Sequence, residues 1–172
     1  ESSGRVRIKQ GLPTGTSVTV EGDVDGTLEI GSRTEGVIGN VLGTVAVGGT
    51  VSGMLEHNGC VLDGGSVTIG SINTGGYYNQ YNVATPTPTQ PWTGELVVED
   101  DLAGTLHFRS VIEDATITVG GSHSGQITTA QVYNSQISLN TNGCGEHTTG
   151  DVSFGRTGMI WDTGGTGHVD IG

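Results

Sequence analysis

Apolar and polar residues alternate in short runs along this chain, and most runs end at a glycine. From residue 18 to residue 36 the sequence reads V-T-V-E-G-D-V-D-G-T-L-E-I-G-S-R-T-E-G. Val18 and Val20 alternate with polar residues, as do Leu28 and Ile30, and a period of two is typical of a half-buried β-strand. Glycine lets the chain bend where a Cβ atom would be strained. The pattern therefore predicts short strands joined at tight corners.

The same rhythm continues through most of the chain and predicts an all-β fold. Glycine makes up 32 of 172 residues and proline only 4, whereas glycine usually accounts for about 7%. Short strands with glycine corners favour a parallel β-helix, or solenoid, with roughly 7 coils of about 20–22 residues. A β-sandwich has a similar strand spacing and is the alternative. The apolar pairs lie at positions 18/20, 28/30, 37/38, 45/47, 67/69, 96/98, 106/108, 117/119, 137/139, 152/154 and 169/171.

A longer repeat divides the chain into two related halves. Residues 20–30 match residues 98–108, and L-E-H-N-G-C at 55–60 matches L-N-T-N-G-C at 139–144. We interpret residues 1–172 as a single solenoid domain made of two diverged halves. The halves cover about 5–73 and 95–172, and an aromatic, proline-rich excursion at 74–94 joins them.

Several repeat units resemble those of a known class of proteins. Units such as T-V-A-V-G-G-T-V-S-G at 44–53 and E-L-V-V-E-D-D-L-A-G at 95–104 resemble the glycine-rich parallel β-helix repeats of large bacterial surface proteins. More loosely, they resemble bactofilin-like polymerising solenoids. The resemblance implies a role as a scaffold, adhesin or filament, and it carries over no catalytic residue.

The composition narrows the classes of partner. The net charge of −12 argues against nucleic acid and against anionic membranes, because both attract basic surfaces. No run of 18 apolar residues is present, so membrane insertion is not expected. Scarce lysine with abundant threonine, glycine, asparagine and aspartate is typical of secreted bacterial surface proteins. We therefore expect a secreted, extracellular or cell-surface protein.

The basic residues concentrate near the start of the chain. Arg5, Arg7 and Lys9 fall within the first nine positions, whereas residues 10–172 are strongly acidic. One interpretation is an exposed strand with outward charges. The other is an assembly interface in which this basic end meets an end containing His168 and Asp170. Solenoid ends need covering and no capping helix is predicted, so either the chain is a segment of a longer protein or its ends stack on other copies. We expect an extracellular structural protein that self-assembles head to tail into a fibre or forms part of a cell-surface or matrix scaffold.

The excursion at 74–94 contains half of the aromatic residues. Tyr77, Tyr78, Tyr81 and Trp92 are candidates for a surface that binds a partner or glycans, because aromatic rings suit interfaces and sugar stacking. The alternative is that these rings pack against the solenoid. The stretch between them is rich in proline and threonine and resembles an O-glycosylated segment, whose candidate acceptors are Thr85, Thr87 and Thr89.

Two cysteines, Cys60 and Cys144, both occur in N-G-C. An even number of cysteines in a secreted chain suggests a disulfide. In a solenoid, however, four coils would separate them by about 19 Å, too far for a bond that needs Cα atoms within about 7 Å. Buried thiols are the first expectation, and a bridge between molecules is the second.

Candidate chemistry elsewhere is sparse. His57-x-x-Cys60 and Cys144-x-x-His147 resemble zinc ligand spacing, but residues i and i+3 of a strand point to opposite faces. Asp100 and Asp101 are weak candidates for calcium at a glycine corner, and no other cofactor is expected. The sequence contains no G-x-S-x-G motif and no P-loop. We expect no enzyme, although a carbohydrate-binding or polysaccharide-degrading β-helix that uses the 77–92 aromatics and nearby acids is the alternative.

Overall fold

The computed structural model describes residues 4–31, 38–81, 90–129, 131–139, 141, 150–154 and 168–171. Sixteen strands lie in this part of the chain. The first eight are β1 Arg5–Ile8, β2 Ser17–Val20, β3 Thr27–Ile30, β4 Thr44–Val51, β5 Met54–Asn58, β6 Ser66–Ile72, β7 Tyr77–Tyr81 and β8 Glu95–Val98. The others are β9 Thr105–Phe108, β10 Val111–Glu113, β11 Thr116–Val119, β12 Gln126–Thr129, β13 Gln131–Tyr133, β14 Gln136–Leu139, β15 Asp151–Phe154 and β16 His168–Ile171.

These strands build a parallel β-solenoid of seven coils. One sheet contains seven strands in the order β1-β3-β5-β7-β9-β12-β15, and a second contains β2-β4-β6-β8-β11-β14-β16. All the strand pairings are parallel. This arrangement confirms the predicted solenoid and its coil number, and it excludes the sandwich alternative, whose sheets are antiparallel.

The alternation seen in the sequence separates core from surface. Along β4, Val45 and Val47 are almost fully buried and Ala46 between them is not. The inward positions stack in register from coil to coil, as in the buried column of Leu28, Leu55, Tyr78, Leu106 and Ile127, which Val6 extends into the first coil. Two further apolar columns lie where the chain passes between the two sheets. Val24, Val51, Ile72 and Leu102 form one of them, which His123 continues.

The coils are less uniform than the predicted 20–22 residues. Successive strands of the first sheet begin 21 to 28 residues apart. In the second sheet an extra residue of β4 shifts its register against β6 between Val47 and Thr50. The long repeat matches the fold, because β2 and β8 lie in one sheet and β3 and β9 lie in the other.

A column of glycines stands immediately before the strands of the first sheet, one in each coil. The carbonyl of each member before the last accepts a hydrogen bond from the first strand residue of the next coil, as when Thr27 N donates to Gly4 O and Met54 N donates to Gly26 O. A Cβ atom on any later member would overlap a carbonyl oxygen of the preceding coil. This spacing explains much of the high glycine content. We call the set the glycine column: Gly4, Gly26, Gly53, Gly76, Gly104, Gly125 and Gly150.

Candidate functional site

The four candidate aromatic residues divide between core and surface. Tyr78 and Trp92 are completely buried, so the prediction that they form a surface binding patch is wrong. They pack around Phe108, with ring centroids 5.5 Å and 5.3 Å from it. Their place in the core follows from register, because Tyr78 pairs with Leu55 and Leu106 and Trp92 pairs with Ile112.

Tyr77 and Tyr81 lie on the outer face of β7, inside the segment that was expected to leave the solenoid. The predicted excursion at 74–94 therefore overlaps a regular strand. Tyr77 is 42% exposed, and the Arg109 guanidinium lies 4.6 Å from the centroid of the Tyr81 ring. Asn79, between the two tyrosines, pairs in register with His107. These residues form the β7 patch. Thr85, Thr87 and Thr89 lie outside the described residues, so their glycosylation stays a prediction.

His57 is buried between two hydrogen-bond partners. Its Nε2 donates to the Gly39 carbonyl at 2.8 Å, which leaves Nδ1 to accept the Tyr78 hydroxyl hydrogen at 3.1 Å. Burial lowers the pKa of His57 to about 4, and the Gly39 hydrogen bond only partly opposes this shift. The ring is thus neutral at pH 7 and both nitrogens are occupied, so His57 is not arranged to bind zinc.

Cys60 lies in the same buried polar region. Its thiol donates to the Gln90 carbonyl at 3.1 Å, and Ser110 Oγ lies 3.6 Å from the sulfur. Burial raises the pKa of Cys60 to about 11, with the Ser110 contact opposing the shift. A thiol with a raised pKa is a poor nucleophile and a poor metal ligand. Cys144 lies outside the described residues, so the pairing of the two cysteines stays a prediction.

At two acidic corners, an aspartate side chain accepts a hydrogen bond from a backbone N–H group of the next coil. Asp101 Oδ1 accepts a hydrogen bond from Ser122 N at 2.8 Å, and Asp23 makes the equivalent bond to Thr50 N at 2.7 Å. Both aspartates therefore have a structural role, joining neighbouring coils, that the sequence pattern did not indicate. Within the described residues, no group of three or more histidine, cysteine, aspartate or glutamate side chains could hold a metal ion. Calcium at Asp100 and Asp101 stays a prediction without a described ligand set.

Two of the basic residues near the start of the chain are paired within it. Arg5 reaches Glu29 at 2.8 Å and Glu56 at 3.9 Å, and the Arg7 side chain also contacts Glu29. Glu29 is fully buried although it stands at an outward-facing strand position. Arg5 and Arg7 thus stand at outward positions of β1 and also form ion pairs that join the first coil to the next two. The contacts that they make within the chain do not depend on a partner.

The first coil is the other candidate surface. In the described part of the chain, β1 and β2 each have a strand partner on one side alone. Val6 is 63% exposed, although Leu28 in the same column is only 2% exposed. A cleft of about 170 Å³ opens here between Val6, Val20 and Val24. Arg5 is half exposed and Lys9 is exposed.

The strands at the opposite end are β15 and β16. His168 and Asp170 lie in β16, where they pair in register with Gln136 and Ser138. Asp151 opens β15 and is exposed. The two ends thus present the same two columns of strands, one from each sheet.

Comparisons of the chain with protein-family models, with curated proteins and with solved structures found no match. The described residues include no helix long and apolar enough to cross a membrane.

Proposed function

We propose that this chain is an extracellular structural protein that associates head to tail into a fibre or a cell-surface scaffold. The resemblance of its repeats to those of bacterial surface solenoids and bactofilin-like polymers supports this proposal. Its acidic, lysine-poor composition supports an extracellular location. The observation that carries the proposal is the exposure of Val6, the first member of its core column among the described residues.

The exposed end has an apolar and a polar component. Val6 leaves apolar surface in water that the equivalent positions of inner coils bury, and burying such a side chain contributes about 1.5–3 kcal/mol. Within the described residues, the outer edges of β1 and β2 have no strand partner, and such edges are a template for pairing with another chain. A second solenoid end with the same cross-section would bury the valine and pair with the edges of both strands.

The chemistry of the interior favours a structural role. His57 is neutral and enclosed, and burial raises the pKa of the Cys60 thiol. Gln80 shows the same use of polar groups, because its amide nitrogen donates to Gly59 O at 2.6 Å. Its amide oxygen accepts from the backbone nitrogens of Arg109 and Ser110. These groups hold coils together.

Electron microscopy and sedimentation velocity of the purified chain test the proposal. Filaments of uniform width, or a concentration-dependent series of oligomers, are expected. Val6→Asp should abolish them with little change in monomer stability, whereas Gln10→Asp, at an exposed position outside the strands, should assemble normally. Monodisperse single chains at every concentration tested would overturn the proposal.

A carbohydrate-binding surface is the second candidate, supported by the exposure of Tyr77. The β7 patch offers an aromatic face next to amide, imidazole and guanidinium groups, a combination suited to sugar rings and hydroxyls. A glycan array would test it with Tyr77→Ala and with Tyr133→Ala as the matched control from another strand. Binding that Tyr77→Ala removes and Tyr133→Ala keeps supports this candidate, and no binding by the parent chain rejects it.

A further inference from the structure

We infer that two copies stack in one register, in which the first coil continues the partner's seventh coil and Gly4 sits on the partner's Gly150. This inference rests on the proposed head-to-tail association and specifies its interface. The pairing adds β1 to the edge of the partner's β15 and β2 to the edge of the partner's β16. Every column of the solenoid then runs on from one copy to the next.

The glycine column gives the first reason for this register. A Cβ atom on Gly26 would overlap Gly4 O, and one on Gly53 would overlap Gly26 O, so the crowded side of each glycine faces the preceding coil. For Gly4 that side faces away from the second coil, and no described coil lies there. In the inferred stack the partner's Gly150 supplies the close carbonyl, and Arg5 N donates to it as Thr27 N donates to Gly4 O.

The strand sequences give the second reason. In the inferred register Val6 and Ile8 fall in line with the second and fourth positions of the partner's β15, which are also apolar. The same holds for Val18 and Val20 against the partner's β16, whose sequence is H-V-D-I. A shift by one residue would place every apolar position opposite a polar one, because side chains alternate between faces. Both sheets therefore select the same register.

Charge gives the third reason. The outward column that begins at Arg5 ends at Asp151 within one copy, so stacking places Arg5 next to the partner's Asp151. Arg5 already contacts Glu29, but its side chain is 48% exposed and has further donors in its fork. Asp151 is exposed. The attraction selects unlike ends, since two first coils would bring the basic residues of both β1 strands together.

A methyl group added at Gly4 tests whether close contact through the glycine column sets the register. Gly4→Ala should leave the urea midpoint of the monomer unchanged and reduce assembly at least tenfold, measured as the concentration at which oligomers appear. Gly22→Ala is the matched control, because no atom lies within 4 Å of a Cβ atom placed there. Normal assembly of Gly4→Ala would overturn the inferred register.

Cross-linking tests the register directly. Paired residues of neighbouring parallel strands lie about 4.8 Å apart, within the range of about 4.4–6.8 Å between the Cα atoms of a disulfide. Arg5→Cys with Asp151→Cys, in a Cys144→Ser background, should give a ladder of covalent oligomers when a mild copper oxidant is added. Arg7→Cys with Asp151→Cys is the control two residues out of register and should give no ladder. A ladder from the control pair alone would overturn the register.

These experiments distinguish a wrong register from a wrong proposal of head-to-tail association. Filaments that form normally in Gly4→Ala and fail to cross-link through Arg5→Cys with Asp151→Cys would reject the register and leave head-to-tail association standing. A parent chain that stays a single chain at every concentration would reject the proposed function itself.

Discussion

At the scale of single residues, the buried imidazole of His57 makes stability depend on pH. Its pKa in the folded chain is about 4, below the usual value of about 6.5, so the unfolded state binds a proton more readily between these values. Stability should therefore be complete above pH 6.5 and fall as the pH drops towards 4. The shift corresponds to a loss of about 3 kcal/mol. Urea unfolding measured at pH 7.5, 5.5 and 4.5 checks this expectation.

A pair of variants assigns that pH dependence to one ring. His57→Gln should lower stability at pH 7.5 and remove most of the decrease between pH 6.5 and 4.5, because glutamine does not titrate. His107→Gln, at a position only partly buried, should keep most of the decrease. An unchanged pH profile in His57→Gln would show that another group is responsible.

His123 is a second buried imidazole, and unlike His57 it lowers the stability of the fold. It continues the apolar column of Val51, Ile72 and Leu102, and neither ring nitrogen forms a hydrogen bond of normal geometry within the described residues. Burial lowers its pKa, with Asp151 and the Gly125 backbone opposing the shift. A buried polar group without a partner costs about 1–3 kcal/mol, so His123→Leu should stabilise the chain by about that amount.

The reverse substitution is the control for His123. Leu102→His places an imidazole one coil earlier in the same column and should destabilise the chain by more than 2 kcal/mol. Thermal and urea unfolding of both variants give the comparison. A loss of stability in His123→Leu would show that the imidazole makes a contact that the fold requires.

At the scale of the strand and its corner, the glycine column sets how closely coils approach. A Cβ atom on Gly53 would overlap Gly26 O, and backbone at this position has little room to move without breaking strand pairing on both sides. Gly53→Ala should therefore destabilise the chain by about 2–4 kcal/mol, as overpacking and lost pairing do. Gly22→Ala, with open space around it, should change the free energy of unfolding, measured by urea denaturation, by less than about 0.5 kcal/mol. Equal stability of the two variants would contradict the role of the column.

The strands were predictable from sequence where apolar residues alternate, as at Val45 and Val47, because alternation follows directly from the pleat of a strand. The strand at 77–81 was missed because a core position is taken by Gln80, whose amide is satisfied by Gly59 O and by two backbone nitrogens. Hydropathy alone cannot show that such a polar group is fully bonded. Proline and aromatic residues nearby then suggested a loop.

The candidate sites were less predictable than the strands, because they depend on which coils lie side by side. The members of the glycine column are unevenly spaced in the sequence because the coils differ in length, so no fixed repeat period shows them, although each member directly precedes a strand. The pairing of Arg5 with Glu29 likewise follows from strand register and not from charge distribution. Sequence reasoning singled out Arg5 and Arg7 but could not assign their partners within the chain.

At the scale of the whole molecule, a solenoid is stabilised mainly between neighbouring coils, so its end coils should open before its middle. Backbone amides of β6, flanked by β4 and β8, should exchange with deuterium slowly. Those of β1 that point away from β3 should exchange within the fastest class, because they have no described strand partner. Stacking adds that partner, so β1 should become protected as the protein concentration rises while β6 hardly changes. Gly4→Ala should keep the fast exchange of β1 at all concentrations. Fast exchange of β1 within assembled parent chains would show that copies associate through a surface other than the first coil.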